Sequence, residues 1–278
     1  MYTYQEDLLA VEDVSLQFGD NLVLQNVNVR IKNIVREGHT QGQVVGFLGP
    51  SGIGKTRLCR ILSGLNKPTS GQVFLNHPTS EQKENWSPVK VGDVGFVAQN
   101  YPLFQHRTVM GNLLVAGKSA GLSKEEAEDR ANTLLARFHL LDRKEYFSNQ
   151  ISGGQRQRVA IAQQLMCRHK FLLMDEPFSG LDPVMKDSTC HLIAEVAATD
   201  ELLTIIVVTH DISAAVESAD MLWLMGRDTD EAGEFTPGSY IKEQVNLAER
   251  GISWRPGISI TREFADTVAE IRNKFDSL

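Results

Sequence analysis

Cysteine is scarce and poorly placed for cross-linking. Only Cys59, Cys167 and Cys190 occur, an odd number, far apart and without a CxxC pair. Neither a disulfide framework nor a zinc site is expected, and the three read as buried, reduced thiols. No apolar run approaches the roughly 20 residues that cross a bilayer; the most apolar, LLTIIVV at 202–208, stops far short. The start, MYTYQEDLLAV, is acidic where a secretory signal is basic, and no apolar core with small residues follows it. The expectation is a protein inside the cell whose membrane role, if it has one, runs through a partner. Positive charge is not in excess. A formal net charge of −7 argues against broad capture of nucleic acid, which needs a basic face, so no nucleic-acid partner is expected. Repeats and low-complexity tracts are absent, and 42% apolar with 23% charged residues is ordinary globular usage. The 278 residues suffice for one large α/β domain or two smaller ones.

The pattern along the chain favours a layered α/β protein. Residues 8–34 alternate apolar and polar positions around GDN at 19–21, which predicts an antiparallel hairpin. From 43 to 65 an apolar strand (VVGFL), a glycine-rich loop and a helix (TRLCRILSGL) open a parallel-sheet unit. Residues of about 108–168 read as mostly helical, with a strong start signal at Ser123. FLLMD at 171–175, LLTIIVV at 202–208 and MLWLM at 221–225 complete a buried sheet. The rhythm is lost at the polar linker RDTDEAGEFTPGS.

GPSGIGKT at 49–56 fits G-x-x-x-x-G-K-[ST], and it lies between a predicted strand and a predicted helix, the context the motif needs. Gly49, Gly52 and Gly54 let the backbone wrap a phosphate chain so that its N–H groups and the helix N-terminus face the anion. The candidate cofactor-binding stretch runs Gly49, Pro50, Ser51, Gly52, Ile53, Gly54, Lys55, Thr56 and Arg57. Lys55 would neutralise the β- and γ-phosphates, and Thr56 would offer its hydroxyl to Mg²⁺. FLLMDEP at 171–177 is an apolar strand ending in two acids at the carboxyl edge of the sheet. Asp175 suits the metal's outer coordination shell or a coordinated water. Glu176 suits the water that attacks the γ-phosphate. ISGGQRQRVAIAQQL at 151–165 turns into a helix whose N-terminus is a second anion site, although Ser152 as a simple N-cap explains the turn alone.

Phosphate loop, SGGQ turn, MDEP strand and a TH pair follow one another as in ABC ATPases, and residues of about 8–227 resemble that family. The resemblance implies an α/β P-loop NTPase fold: a mixed or parallel core sheet, an antiparallel β subdomain, and an inserted helical subdomain at about 100–168. It implies ATP and Mg²⁺ as cofactors and an ATP hydrolase coupled to transport. Gln99, in VAQNYPLF, resembles the loop glutamine that touches Mg²⁺ and the attacking water; with Thr56 and Asp175 it forms the implied metal set. SGLD at 179–182 resembles the loop that crosses the dimer interface. His210, in VVTHD, resembles the switch histidine and joins Glu176 and Gln99 as the implied catalytic group. Phe18 resembles the aromatic residue that stacks on adenine, with a core phenylalanine as the alternative. In the family two cassettes meet head to tail, so Ser152, Gly153 and Gly154, with Gln155 beside them, would close over the ATP held by the other chain's Lys55. The implied partners are a second cassette (homodimer or paired), transmembrane permease subunits and an external substrate-binding protein. The implied place is cytoplasmic, peripheral on the inner face of the cell membrane.

Three features depart from the family pattern. Arg57 stands where a second Ser or Thr is usual, Ile151 replaces Leu, and KNIVREGHTQGQ at 32–43 is long enough to predict a surface excursion. A P-loop kinase or GTPase would share the phosphate loop, but NKPT at 66–69 lacks the aspartate of a guanine-reading NKxD. A soluble ABC ATPase is the stronger rival, without the long inserts such proteins usually carry. VAQNYPLFQHRTVMGNL and THDISAAVESADMLWLM resemble importer cassettes, and an exporter with separate membrane subunits stays open. Residues 228–278 read as a short extension in which Phe264, Val268, Ile271 and Phe275 share one helical face, packed on the chain's own core or on a partner.

Overall fold

The computed structural model describes residues 2–36, 41–77, 84–167, 169–255, 257–275 and 278. Two long strands, β1 (Tyr2–Phe18) and β2 (Asn21–Arg36), pair antiparallel from Tyr2↔Arg36 to Phe18↔Asn21. The tight turn between them holds Gly19 at φ 55, a conformation that costs glycine little. The hairpin is longer at both ends than the alternation suggested. The predicted excursion at 32–43 is therefore corrected in part: residues 32–36 continue β2 against the start of β1, and both Ile31 and Ile34, on opposite faces of the strand, are buried there. Residues 37–40 lie outside the described residues.

β3 (Gln43–Leu48) leads into α1 (Lys55–Leu62), then β4 (Ser70–Asn76), β5 (Trp86–Pro88) and β6 (Gly95–Val97). Three helices follow, α2 (Val109–Ser119), α3 (Lys124–Arg137) and α4 (Gly153–Leu165). β7 (Phe171–Asp175), α5 (Pro183–Ala197), β8 (Thr204–Thr209), α6 (Ile212–Ser218) and β9 (Met221–Gly226) continue the alternation. β10 (Tyr240–Asn246) and α7 (Arg262–Phe275) end the chain. One sheet is antiparallel, in the order β2-β1-β4-β5; the other runs β10-β9-β3-β8-β7-β6 and is parallel except for β10.

The parallel strands are apolar throughout because both their faces are covered. Alternate residues enter different cores. Val45, Phe47, Leu173, Ile206 and Val208 pack with α1 and the inner face of the antiparallel sheet. Val44, Leu48, Leu172, Met174, Ile205 and Val207 pack with the helices. In the helical region each start is capped: Thr108 accepts from Gly111 N, and Ser123 forms a reciprocal capping box with Glu126, which satisfies donors the first turn leaves orphaned.

The residues after 227 are not a loose appendage. β10 adds an antiparallel edge strand to β9, an element absent from the sequence reading. α7 packs on α6 and buries Phe264, Val268 and Ile271, with Phe275 half-buried. Between them, Trp254 Nε1 donates to the buried Asp220 at 2.7 Å, and Ser253 Oγ donates to Ala219 O at 3.0 Å. Cys59 and Cys190 are buried free thiols, whereas Cys167 is only half-buried. Among the described residues no helix is long and apolar enough to cross a membrane.

Candidate functional site

The strand β3 stops at Leu48, and the chain turns through Gly49–Gly54 before α1 begins at Lys55. Gly52 and Gly54 sit at φ 79 and 109, in the left-handed region where a side chain is strained. Gly49 is constrained by space, since a Cβ there would lie 2.9 Å from Met225 O. The turn folds back over Lys55, whose Nζ donates to Gly49 O at 2.8 Å and Pro50 O at 3.0 Å. Burial pushes the Lys55 pKa down, and the acids at the strand mouth oppose that shift. Ile53 is buried in the core beneath the loop.

β7 delivers its two acids beside this loop. Asp175 is buried and accepts a hydrogen bond from Thr56 Oγ1 at 3.2 Å. Burial raises its pKa, partly offset by the Thr56 hydroxyl. Glu176 leaves the strand at φ 51, an uncommon conformation for a residue with a side chain, fixed by donation of its N–H to Val208 O at 2.8 Å. The turn aims its carboxylate between two partners: Oε1 is 3.8 Å from Lys55 Nζ, and Oε2 is 2.9 Å from His210 Nδ1. His210 itself follows β8, the neighbouring strand.

Gln99, exposed after β6, donates from Nε2 to Ser179 Oγ at 3.2 Å. Two more donors reach the same turn, Tyr101 Oη and Gln157 Nε2, each 3.3 Å from Pro177 O. The strand mouth is thereby tied to the loop of Gln99 and to α4. Asp182, last of the SGLD stretch, caps α5 by accepting from Met185 N at 2.9 Å.

One cavity of about 550 Å³ is lined by Ser51, Gly52, Gly54, Lys55, Thr56, Arg57, Gln99, Glu176, Ser179 and His210, together with Phe18, Asn21 and Val23. Phe18 is 50% exposed, so it is not a core phenylalanine. Arg57 stands over its ring, the guanidinium carbon 5.5 Å from the centroid. Asn21 and Val23 were missed in the sequence; the only signal for them is that Asn21 pairs with Phe18 across the hairpin. Gly49, Pro50, Ile53 and Asp175 are not among its lining residues. Ser152, Gly153, Gly154 and Gln155 are not part of it. Ser152 caps α4 in a reciprocal box with Gln155, with Ser152 and Gly153 exposed to solvent.

The sequence profile described as "ABC transporter" matches residues 33–179, more than half of the chain. The chain belongs to the ABC transporter family. It is 37% identical over 78% of its length to a protein of Chlorella vulgaris described as a probable sulfate/thiosulfate import ATP-binding protein, and covers 86% of that relative. It is 35% identical over 80% of its length to the Fe(3+) ions import ATP-binding protein FbpC of Escherichia coli O157:H7, of whose length it spans 60%. Its fold superposes on a dimeric ATP-binding cassette in a post-hydrolysis state with ADP and phosphate, at a TM-score of 0.65 and 26% identity, covering 86% of this chain and 99% of the other. The chain is an ATP-binding and hydrolysing cassette of this family.

Proposed function

We propose that this cassette is the ATP-driven motor of a membrane importer, working as a dimer beneath transmembrane permease subunits on the inner face of the cell membrane. The observation that carries the hydrolytic part is the placement of Glu176 between Lys55 and His210 at the mouth of the phosphate loop. Lys55 and the loop N–H groups bind the β- and γ-phosphates. Phe18 and Arg57 receive the adenine end. Glu176 accepts a proton from water as its oxygen bonds to the γ-phosphorus and the bond to the bridging oxygen breaks, leaving ADP and phosphate. His210 holds the Glu176 carboxylate and in this reading would contact the γ-phosphate. Gln99 reports on the water and links the site to the helical region that meets the permease.

Thr56 and Asp175 fit a hard divalent cation: a hydroxyl and a carboxylate oxygen 3.2 Å apart, with Thr56 and Gln99 both lining the cavity. Mg²⁺ held there would offset phosphate charge, and the residues named orient what it binds. Import as the direction, and a substrate-binding protein outside the cell, rest on the import roles named for the relatives. The alternatives are an exporter motor or a soluble ATPase.

Expression with and without a transmembrane permease subunit tests the reading. The chain should sediment with membranes only when the permease is present, and ATP inside right-side-out vesicles should then drive substrate inward. Recovery in the soluble fraction in both cases would favour the non-transport ATPase, and outward movement the exporter.

A further inference from the structure

The extension beyond residue 227 reaches back to the nucleotide site through one fully buried side chain, Ser239. Its approach requires glycine before it. Gly238 lies at φ 83, and a Cβ there would fall 2.7 Å from Gln25 Cβ and 2.9 Å from Leu22 Cδ2. Ser239 then joins the outer edge of β2: its N–H donates to Val23 O at 3.0 Å, and its carbonyl accepts from Gln25 N at 3.0 Å. The hydroxyl oxygen is 2.6 Å from Ile53 O and 2.8 Å from Val23 O. A hydroxyl has one proton to give. Val23 O already receives the Ser239 amide, so the proton belongs to the shorter contact, the carbonyl of Ile53.

Ile53 sits between Gly52 and Gly54, the two residues of the phosphate loop whose backbones occupy the left-handed region. Nothing in the side chains of those glycines fixes the peptide planes around them. The Ile53 carbonyl and the Gly54 N–H share one rigid plane and point opposite ways across it, so anchoring the carbonyl sets the direction of the N–H, and Gly54 lines the cavity. The fit is close on this side: a Cβ on Gly54 would lie 3.1 Å from Val23 and Leu24 and 3.5 Å from Ser239 Oγ.

We infer that Ser239 is a positioning residue of the phosphate loop, so that the segment joining β9 to β10 is a working part of the ATP site. The inference rests on the proposed reading of Gly49–Thr56 as the ATP-binding loop. Isothermal titration of the purified full chain with ATP separates the two properties at issue, because the dissociation constant reports the site and the stoichiometry reports the folded fraction. Ser239→Ala should raise the ATP dissociation constant about five- to ten-fold, the equivalent of one net hydrogen bond, with stoichiometry unchanged. Ser253→Ala removes a similarly buried hydroxyl of the same extension, one that donates to Ala219 O away from the loop, and should leave the constant within two-fold. A change below five-fold in Ser239→Ala overturns the inference, whether or not stoichiometry falls, as does an equal change in Ser253→Ala. Lys55→Ala is measured alongside. If it binds ATP like the wild type, the reading of the loop has failed; if it loses binding while Ser239→Ala keeps it, only the role of Ser239 has.

Discussion

Lys55 meets its charge with oxygen atoms on two sides, the loop carbonyls of Gly49 and Pro50 and the carboxylate of Glu176. In the proposed reading a buried ammonium held this way is preorganised for phosphate, and in Lys55→Ala ATP binding should be lost by titration while the fold persists, since the loop glycines and the core beneath them are untouched. Binding at wild-type strength would refute the phosphate-loop assignment. In Glu176→Gln the amide keeps the carboxylate's shape but does not take a proton, so turnover should fall about 10²- to 10⁴-fold with ATP binding retained; an unchanged rate would remove Glu176 from the proposed reaction. Phe18→Ala, at a half-exposed ring, should weaken ATP binding by an amount equivalent to about 0.5 to 1.5 kcal/mol with little change in melting temperature. A large melting shift with unchanged affinity would contradict its place at the adenine end. At this scale much of the candidate site was legible, because a G-x-x-x-x-G-K-T turn after a strand and two acids after an apolar strand are local patterns with few other uses. Asn21, Val23 and Ser239 were not: Asn21 comes to the cavity through the hairpin turn beside Phe18, Val23 and Ser239 through backbone pairing between distant segments, and their identities carry no chemical signature.

The elements show the same division. β3, β7, β8 and β9 announce themselves as apolar runs, and α7 through the spacing of Phe264, Val268 and Ile271. β10 was invisible because an edge strand buries only part of one face, and YIKEQVN alternates too weakly to stand out from its polar surroundings. β4, β5 and β6 were likewise missed; β5 and β6 have three residues each, shorter than any periodicity can register. Ile271 is fully buried on the inner face of α7, and Ile271→Ala should destabilise by about 2 to 5 kcal/mol, read as a clear drop in melting temperature with ATP affinity unchanged in the folded fraction. The same helix is pinned by ions: Glu270 takes two hydrogen bonds from Arg250, at 2.6 and 3.1 Å, and pairs with Lys274, which also reaches Glu243. Arg250 holds the Glu270 pKa down at about 2, below its ordinary 4.5. A carboxylate depressed on folding stabilises above its unfolded pKa, and that contribution is lost as pH falls through the folded one. The melting difference between wild type and Glu270→Gln should therefore be present at pH 6 and close between about pH 4.5 and 2. The group is partly exposed, so the difference should be small and should shrink with salt. A gap independent of pH would show that the ion pair does not hold α7.

Across the whole molecule, the proposed dimer makes this arrangement half of a machine. The cavity gathers Lys55, Glu176 and His210, yet the exposed turn at Ser152 and Gly153 stands outside it, as a surface waiting for another chain's ATP would. Ser152→Arg should block the partner's site. Mixed with Lys55→Ala chains, it should regain some activity, because each mixed dimer would hold one doubly damaged site and one intact site; no recovery on mixing would mean that each chain works alone. The left-handed turn at Glu176 bears on the stability of the entire chain. Such a backbone costs roughly 1 to 2 kcal/mol for most residues, and Asn or Gly would sit there with less strain. Glu176→Asn should melt no lower than the wild type while hydrolysing little. Laboratory evolution scored on heat resistance alone would drift toward that change, ending with a sturdier protein that no longer burns its fuel.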